Sequence, residues 1–216
     1  MGIQKALLVL NGYLNVDRFV NHIDPSAFTK IAVDGGLQYF RRMLVPPDVL
    51  IGDLDSVTPD DLLWAKQHNT LIVQFPAEKD ESDFQLALNW VIERQVQQVR
   101  IAGGLGGRLD QTLANCFLLL DERLKVLDIC FDDGIDEVSL IQDRLVVYGQ
   151  PGDIVSLLPL LGTVLGVTTH RLKYPLSKEN LFMHQARGIS NVMLEATAAI
   201  EVKQGTLLCI HTRQEE

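Results

Sequence analysis

The stretch Val49-Leu50-Ile51-Gly52-Asp53-Leu54-Asp55-Ser56 decides how the first half of this 216-residue chain is read. Three apolar residues in succession predict a short buried strand. A turn carrying two carboxylates two residues apart follows at its carboxyl end, where open α/β sheets hold their ligands. Two hard oxygen donors on a strand end suit Mg²⁺, which takes one or two protein carboxylates and completes its shell with phosphate and water. The competing reading is a solvated turn with Asp as an ordinary turn former. Three further polar clusters, each behind a strand-like run, favour the ligand site.

Outward from this stretch the pattern alternates. Ala6 to Leu10, Ile31 to Val33, Leu71 to Val73, Val99 to Ala102 and Lys125 to Phe131 read as further strands. Helical patterns lie between them. Pro59 to His68 opens on Thr58-Pro59-Asp60-Asp61, an N-cap with Pro in the first turn. Ser82 to Gln95 carries Phe84, Leu88, Val91 and Ile92 broadly on one face, and Leu109 to Leu120 reads as another helix. Such alternation predicts a parallel sheet flanked by helices. From about residue 135 the texture changes to short β-branched runs at 138–141, 145–148, 154–158, 164–169, 191–196, 198–203 and 207–211. Gly149-Gln150-Pro151-Gly152, Leu161-Gly162 and Gln204-Gly205 punctuate them, so an antiparallel all-β module, sandwich or barrel-like, is expected. The fold expectation is therefore α/β: an N-terminal parallel sheet flanked by helices over 1–133, then a smaller all-β sandwich over 134–216.

Bulk properties narrow the function. A net charge of −9 lacks the basic footprint of a nucleic-acid or membrane-surface binder. It leaves room for an anionic substrate bridged by Mg²⁺. Cys116, Cys130 and Cys209 lack metal-ligand spacing and read as buried thiols of a reducing compartment. No leader is evident in Met1 to Leu10 and no run approaches membrane-span length, so a cytoplasmic location is expected.

The other clusters are chemically specific in different degrees. Asp34-Gly35-Gly36 follows the second strand, where glycines let backbone approach a ligand. Ser56 caps the next turn or helps bind phosphate. Lys79-Asp80-Glu81-Ser82-Asp83 follows the fourth strand; one reading is a plain helix start, with Asp80 or Ser82 as N-cap and acids suiting the helix dipole, and the other has Asp83 completing a metal site with Lys79 reaching a phosphate. Gly103-Gly104-Leu105-Gly106-Gly107-Arg108-Leu109-Asp110 is a glycine-rich loop feeding a helix N-terminus, an anion cradle with a guanidinium fork beside it. It lacks the Lys-Ser/Thr ending of a Walker loop. Together the clusters point to Mg²⁺-dependent nucleotide chemistry.

The ordered set Asp34-Gly35-Gly36, Gly52 to Ser56, Lys79 to Phe84 and Gly103 to Gln111 resembles the thiamine pyrophosphokinases. Gly152 to Leu160, Leu172 to Leu176, Gly188 to Asn191, Ala198 to Val202 and Gly205 to Leu208 resemble that family's β-domain. The resemblance implies an α/β domain followed by a β-sandwich, in a homodimer with active sites at the subunit interface. It implies transfer of the pyrophosphoryl group of ATP to the thiamine hydroxyl, with AMP released. By motif, Asp53, Asp55 and Asp83 would be the Mg²⁺ carboxylates. Asp34, Gly35, Gly36, Ser56, Lys79, Arg108 and the loop of Gly103, Gly104, Gly106 and Gly107 would hold the triphosphate. Asp110 and Asn115 would shape the reacting end, and Asp110 or Asp80 would accept the hydroxyl proton. Tyr174, Ser190 and Asn191 would meet thiamine. Tyr174 offers a ring face to that cationic ring system, or serves as a core or interface aromatic. Ile189 and His170-Arg171 depart from the family pattern at the thiamine end. Two other functions fit the same residues: a pyrophosphokinase for another heteroaromatic alcohol such as a hydroxymethyl pterin, and a non-catalytic nucleotide sensor.

Overall fold

A computed structural model describes residues 3–214, so the outermost ends of the two expected domains, residues 1–2 and 215–216, lie outside the described residues. The chain divides into two compact units, Met1–Gly134 and Ile135–Glu216.

The first unit alternates strand and helix: β1 (Lys5–Val9), α1 (Val16–His22), β2 (Thr29–Val33), α2 (Leu37–Met43), β3 (Val49–Gly52), α3 (Pro59–Gln67), β4 (Leu71–Gln74), α4 (Asp83–Glu93), β5 (Gln98–Ala102), α5 (Leu109–Leu118) and β6 (Asp128–Asp132). The strands run in the order β4-β3-β2-β1-β5-β6 and pair in parallel throughout. Near-continuous apolar runs suit strands covered on both faces; Ala6, Leu7, Leu8 and Val9 of β1 and Leu50 and Ile51 of β3 are fully buried. Leu7, Val9, Ala32 and Leu50 join Phe19 of α1 and Phe40 of α2 in one core cluster. α4 contributes Phe84, Ala87, Leu88, Trp90 and Val91 from its buried face.

The caps follow residue chemistry. Thr58 accepts from the N–H of Asp61 ahead of α3, and Ser82, rather than Asp80, accepts from the N–H of Gln85 ahead of α4. α1 and α2 were not anticipated. Each has seven residues, too few for a 3.6-residue period to stand out, and α1 buries only Phe19.

The second unit is antiparallel: β7 (Asp136–Ile141), β8 (Arg144–Tyr148), β9 (Ile154–His170), β10 (Glu179–Leu181), β11 (Asn191–Val192), β12 (Thr197–Glu201) and β13 (Gln204–Thr212). β13 pairs with β7 and with the first part of β9, while β12 pairs with β8 and the end of β9. β10 and β11 pair with β9 as well. Side chains from all these layers, among them Ile141, Val155, Val167, Leu181, Ile200 and Leu207, form its own core.

One expectation is corrected here. The runs 154–158 and 164–169 are a single 17-residue strand, β9, rather than two strands. Leu161 and Gly162 take φ values of 59° and 123°, and the pairing with β13 shifts register between Gln204 and Thr206. The Leu-Gly signal therefore marks an irregularity inside a strand, which lets its two ends serve different neighbours.

Cys116, Cys130 and Cys209 are free and buried, and burial pushes the Cys209 thiol up to about 12. Among the described residues no helix is long and apolar enough to cross a membrane.

Candidate active site

The strand order reverses direction at β1: β2, β3 and β4 lie on one side, β5 and β6 on the other. Register aligns the carboxyl ends, with Val9 opposite Ala102, Val33 opposite Ile51 and Gly52 opposite Gln74. Loops leaving neighbouring strands in opposite directions open a crevice there. A cavity of about 550 Å³ occupies it, lined by residues from all the predicted clusters of this unit: Asp34, Asp53, Asp55, Ser56, Asp83, Gly103, Gly104, Gly106, Arg108 and Asn115.

Carboxylate oxygens of Asp34, Asp53 and Asp83 lie within 4.8 Å of one another. Asp34 is the member that the sequence reading gave to the triphosphate. Asp55, which it gave to the metal, lines the cavity outside this triad. The backbone explains the difference. Leu54 sits at φ 70°, a costly conformation for a branched side chain, and packs against the core cluster. That breaks the alternation which would send Asp53 and Asp55 to one face of a strand. The Asp55 N–H instead donates to Asp53 Oδ1 at 3.1 Å, and Asp55 Oδ1 accepts from the Ser56 hydroxyl at 2.9 Å.

Lys79 partners the triad, its Nζ standing 2.8 Å from Asp83 Oδ1 and 3.3 Å from Asp53 Oδ2. Burial opposes the Lys79 charge, but the bonds to Asp83 and Asp53 outweigh it and raise its pKa. The Asp55 N–H, followed by Lys79, holds Asp53 below the usual carboxylate range. Asp34 goes the other way: burial raises it, hydrogen bonds from Ser56 and the Gly35 N–H oppose, and the charges of Asp83 and Asp55 add to the rise. Asp34 Oδ1 is buried with no hydrogen-bond partner. An orphaned carboxylate oxygen beside two others is a donor set that fits a hard divalent cation.

The glycine loop forms the facing wall. Gly103 takes φ 64°, and a Cβ there would strike the Leu10 carbonyl oxygen. Asn115 Nδ2 donates to the Gly104 carbonyl at 2.8 Å, so Asn115 fixes the loop from α5. Arg108, the cap residue of α5, makes no side-chain cap bond. Its guanidinium pairs in a fork with Asp110, at 3.1 and 2.5 Å, and both side chains are exposed. Neither Asp80 nor Asp110 is among the cavity's lining residues, nor are Gly35, Gly36, Lys79 or Gly107. Sequence reasoning missed Asn11, Gly12, Gln111 and Leu118 on the wall. Asn11-Gly12 directly follows β1, and that position at a strand end was the available signal.

In the second unit Tyr174 is 53% exposed and Ser190 is exposed at φ 54°. Asn191 is buried with its amide already engaged. Its Oδ1 accepts from the N–H groups of Tyr174 and Val192, and its Nδ2 donates to the Tyr174 carbonyl at 2.7 Å. Asn191 thus shapes the Tyr174 segment.

Both units of the chain are similar to known proteins. Residues 20–131 match the family described as thiamin pyrophosphokinase, catalytic domain, and residues 143–207 match thiamin pyrophosphokinase, vitamin B1 binding domain. The thiamine pyrophosphokinase of Bacillus subtilis is 25% identical over 184 residues, covering 84% of this chain and 86% of that protein. Thiamine pyrophosphokinase 2 of Arabidopsis thaliana is 23% identical over 240 residues, covering 99% and 88%. The crystal structure of a thiamin pyrophosphokinase family protein from Enterococcus faecalis superposes with a TM-score of 0.82 at 25% identity, covering 98% of this chain and 100% of that one. The Bacillus subtilis crystal structure reaches a TM-score of 0.87 at 22% identity, a likeness of fold over 98% and 100% of the two chains. The catalytic-domain match alone spans more than half of the 216 residues, and on it the chain belongs to the thiamin pyrophosphokinase family.

Proposed function

We propose that this protein transfers the pyrophosphoryl group of ATP to the hydroxyl of thiamine, giving thiamine diphosphate and AMP, with Mg²⁺ as cofactor. The observation that carries the reading is the triad of buried Asp34 with half-buried Asp53 and Asp83, facing a glycine loop across one cavity in a unit that matches the family's catalytic domain. Asp34, Asp53 and Asp83 would hold the cation, which when bound would supply charge neutralisation for phosphate oxygens beside this acidic wall.

The chain's own residues do the rest. Arg108 exchanges its exposed Asp110 partner for phosphate oxygens, which its planar fork matches. The α5 N-terminus offers amide N–H groups on the same side. Lys79 bonds Asp53 and Asp83 and orients both carboxylates before ligand arrives. The thiamine hydroxyl oxygen attacks the β-phosphorus and releases its proton to solvent, while the bond from that phosphorus to the α-phosphate bridging oxygen breaks and its electron pair leaves on AMP. Positioning and charge compensation supply most of the rate in such transfers.

Residues 1–133 serve as the ATP and Mg²⁺ domain in this reading, and residues 134–216 as the thiamine-binding and dimerisation domain. Tyr174 and Ser190 face thiamine from the second unit of a partner chain, with Asn191 holding the Tyr174 segment in shape. Three free thiols support a reducing compartment such as the cytoplasm.

The test is product analysis with ATP and Mg²⁺, with and without thiamine. Thiamine-dependent AMP together with thiamine diphosphate is expected. ADP as the product would overturn the reaction type. AMP with a pterin alcohol but not with thiamine would keep the ATP half and overturn the acceptor.

A further inference from the structure

Asn11 lies on the cavity wall, at the end of β1 beside the point where the strand order reverses. It stands outside the matched catalytic-domain segment, which begins at residue 20. The loop that carries it is held from both flanks. The Gly12 N–H donates to the Gly103 carbonyl at 2.7 Å and the Tyr13 N–H to the Leu105 carbonyl at 2.9 Å. From the other side, the Tyr39 hydroxyl donates to the Gly12 carbonyl at 2.6 Å.

The side chain is held as well. Gln38 Nε2, one residue before Tyr39 on α2, donates to Asn11 Oδ1 at 2.5 Å. With the Asn11 oxygen accepting from Gln38, the NH₂ end of the amide is the one left to donate. The NH₂ group is left over Gly35, with no partner among the described residues. A Cβ at Gly35 would overlap the Asn11 amide. The glycine that follows Asp34 therefore makes room for Asn11, and the unpaired donor lies one residue from the acidic triad.

An oriented amide donor beside three carboxylates is of no use to the cation, which takes oxygen donors. It suits an anionic oxygen carried alongside the cation. We propose that Asn11 is a substrate-binding residue whose Nδ2 donates to a phosphate oxygen of Mg²⁺-bound ATP, and that Gln38 is the positioning residue that aims it. This rests on the ATP reading above and adds a contact to it. The contact is made in the ground state and in the transition state alike, so its loss raises KM rather than lowering kcat.

The experiment measures Mg·ATP binding by calorimetry without thiamine, together with steady-state kinetics, for the wild-type chain, Asn11→Ala, Asn11→Asp and Gln38→Leu. Thermal unfolding checks that each variant is folded. Asn11→Ala is expected to weaken ATP binding and raise the ATP KM by about 10-fold, with a much smaller change in kcat and in the thiamine KM. Asn11→Asp should be worse, since it replaces the donor by a negative charge of the same shape. Gln38→Leu should give a smaller rise in ATP KM, about 3-fold, by freeing the amide to turn. ATP binding unchanged in folded Asn11→Ala would overturn the proposal, as would a loss confined to kcat. Wild-type chain that binds Mg·ATP but makes no thiamine diphosphate would overturn the reaction reading and leave the Asn11 contact to be judged on binding alone. Wild-type chain that does not bind Mg·ATP would overturn both.

Discussion

Lys79 is the residue whose behaviour distinguishes a metal site from a solvated acidic turn. It sits where charge balance requires a cation, 2.8 Å from Asp83 and 3.3 Å from Asp53. An incoming Mg²⁺ competes with that ammonium for the same two carboxylates. Lys79→Met is therefore expected to bind Mg²⁺ more tightly than the wild type, read as a larger metal-induced rise in Tm. Asp53→Asn, which removes one charge from the triad, is expected to weaken Mg²⁺ binding and to cut AMP release by about 100-fold or more. A Mg²⁺ titration followed by Tm checks both, and identical curves for wild type and both variants would remove the triad as the metal site. At this scale the sequence marked every carboxylate of the triad as a site residue. In the structure Asp34, rather than Asp55, stands with Asp53 and Asp83, an arrangement set by the left-handed backbone at Leu54, which is not written in any periodicity.

At the scale of elements, the end of β13 is tied to the turn between β8 and β9 by a buried pair. His211 Nε2 lies 2.9 Å from Asp153 Oδ2, and the N–H groups of Gln150 and Gln214 donate to the same carboxylate. Burial alone pushes Asp153 up; the Gln214 and Gln150 N–H groups and His211 outweigh it and hold its pKa below the ordinary value. A depressed carboxylate contributes stability above its unfolded pKa of about 3.9, and that contribution is lost as pH falls through the lower folded value. Asp153→Asn should then cost about 2 kcal/mol near neutral pH, with the difference from wild type shrinking below about pH 4. Urea unfolding at pH 7 and pH 3 measures it; an equal loss at both would show that the ionised carboxylate is not what matters. The elements themselves were mostly legible. The six strands of the first unit among the described residues stood out as apolar runs; in β1 and β3 burial on both faces leaves little room for polar residues, while the edge strand β4 keeps its apolar run with Leu71 exposed. α1, α2 and β10 did not, being too short to show a period.

At the scale of the whole molecule, the homodimer in our functional reading builds each site from the first unit of one chain and the second unit of its partner. On the exposed side of α5, Leu109, Leu113 and Phe117 recur at four-residue spacing, a pattern that suits a covered face. Mixing Asp53→Asn chains with Tyr174→Ala chains is expected to restore activity, to about a quarter of wild type for random pairing. Each mixed dimer then owns one site with both lesions and one site with neither. No recovery, with subunit exchange demonstrated by sedimentation of tagged chains, would mean that each chain supplies its own complete site.

The amino-acid order by itself determined the α/β unit and the β module that follows it in sequence, the polar loops at the strand ends, and the family. These are local matters: an apolar run, a turn glycine and a cap each act within a few residues, so their pattern is readable in order along the chain. Only the tertiary structure decided which of those loops' side chains meet. Asp34, Asp53 and Asp83 come from three strand ends aligned by parallel register, and Leu54 turns Asp55 out of the group. Asn11 and Gln38 are 27 residues apart, and their bond exists because β1 and α2 meet over Gly35. Contacts between distant segments are set by strand order and backbone handedness, which no short stretch of sequence contains.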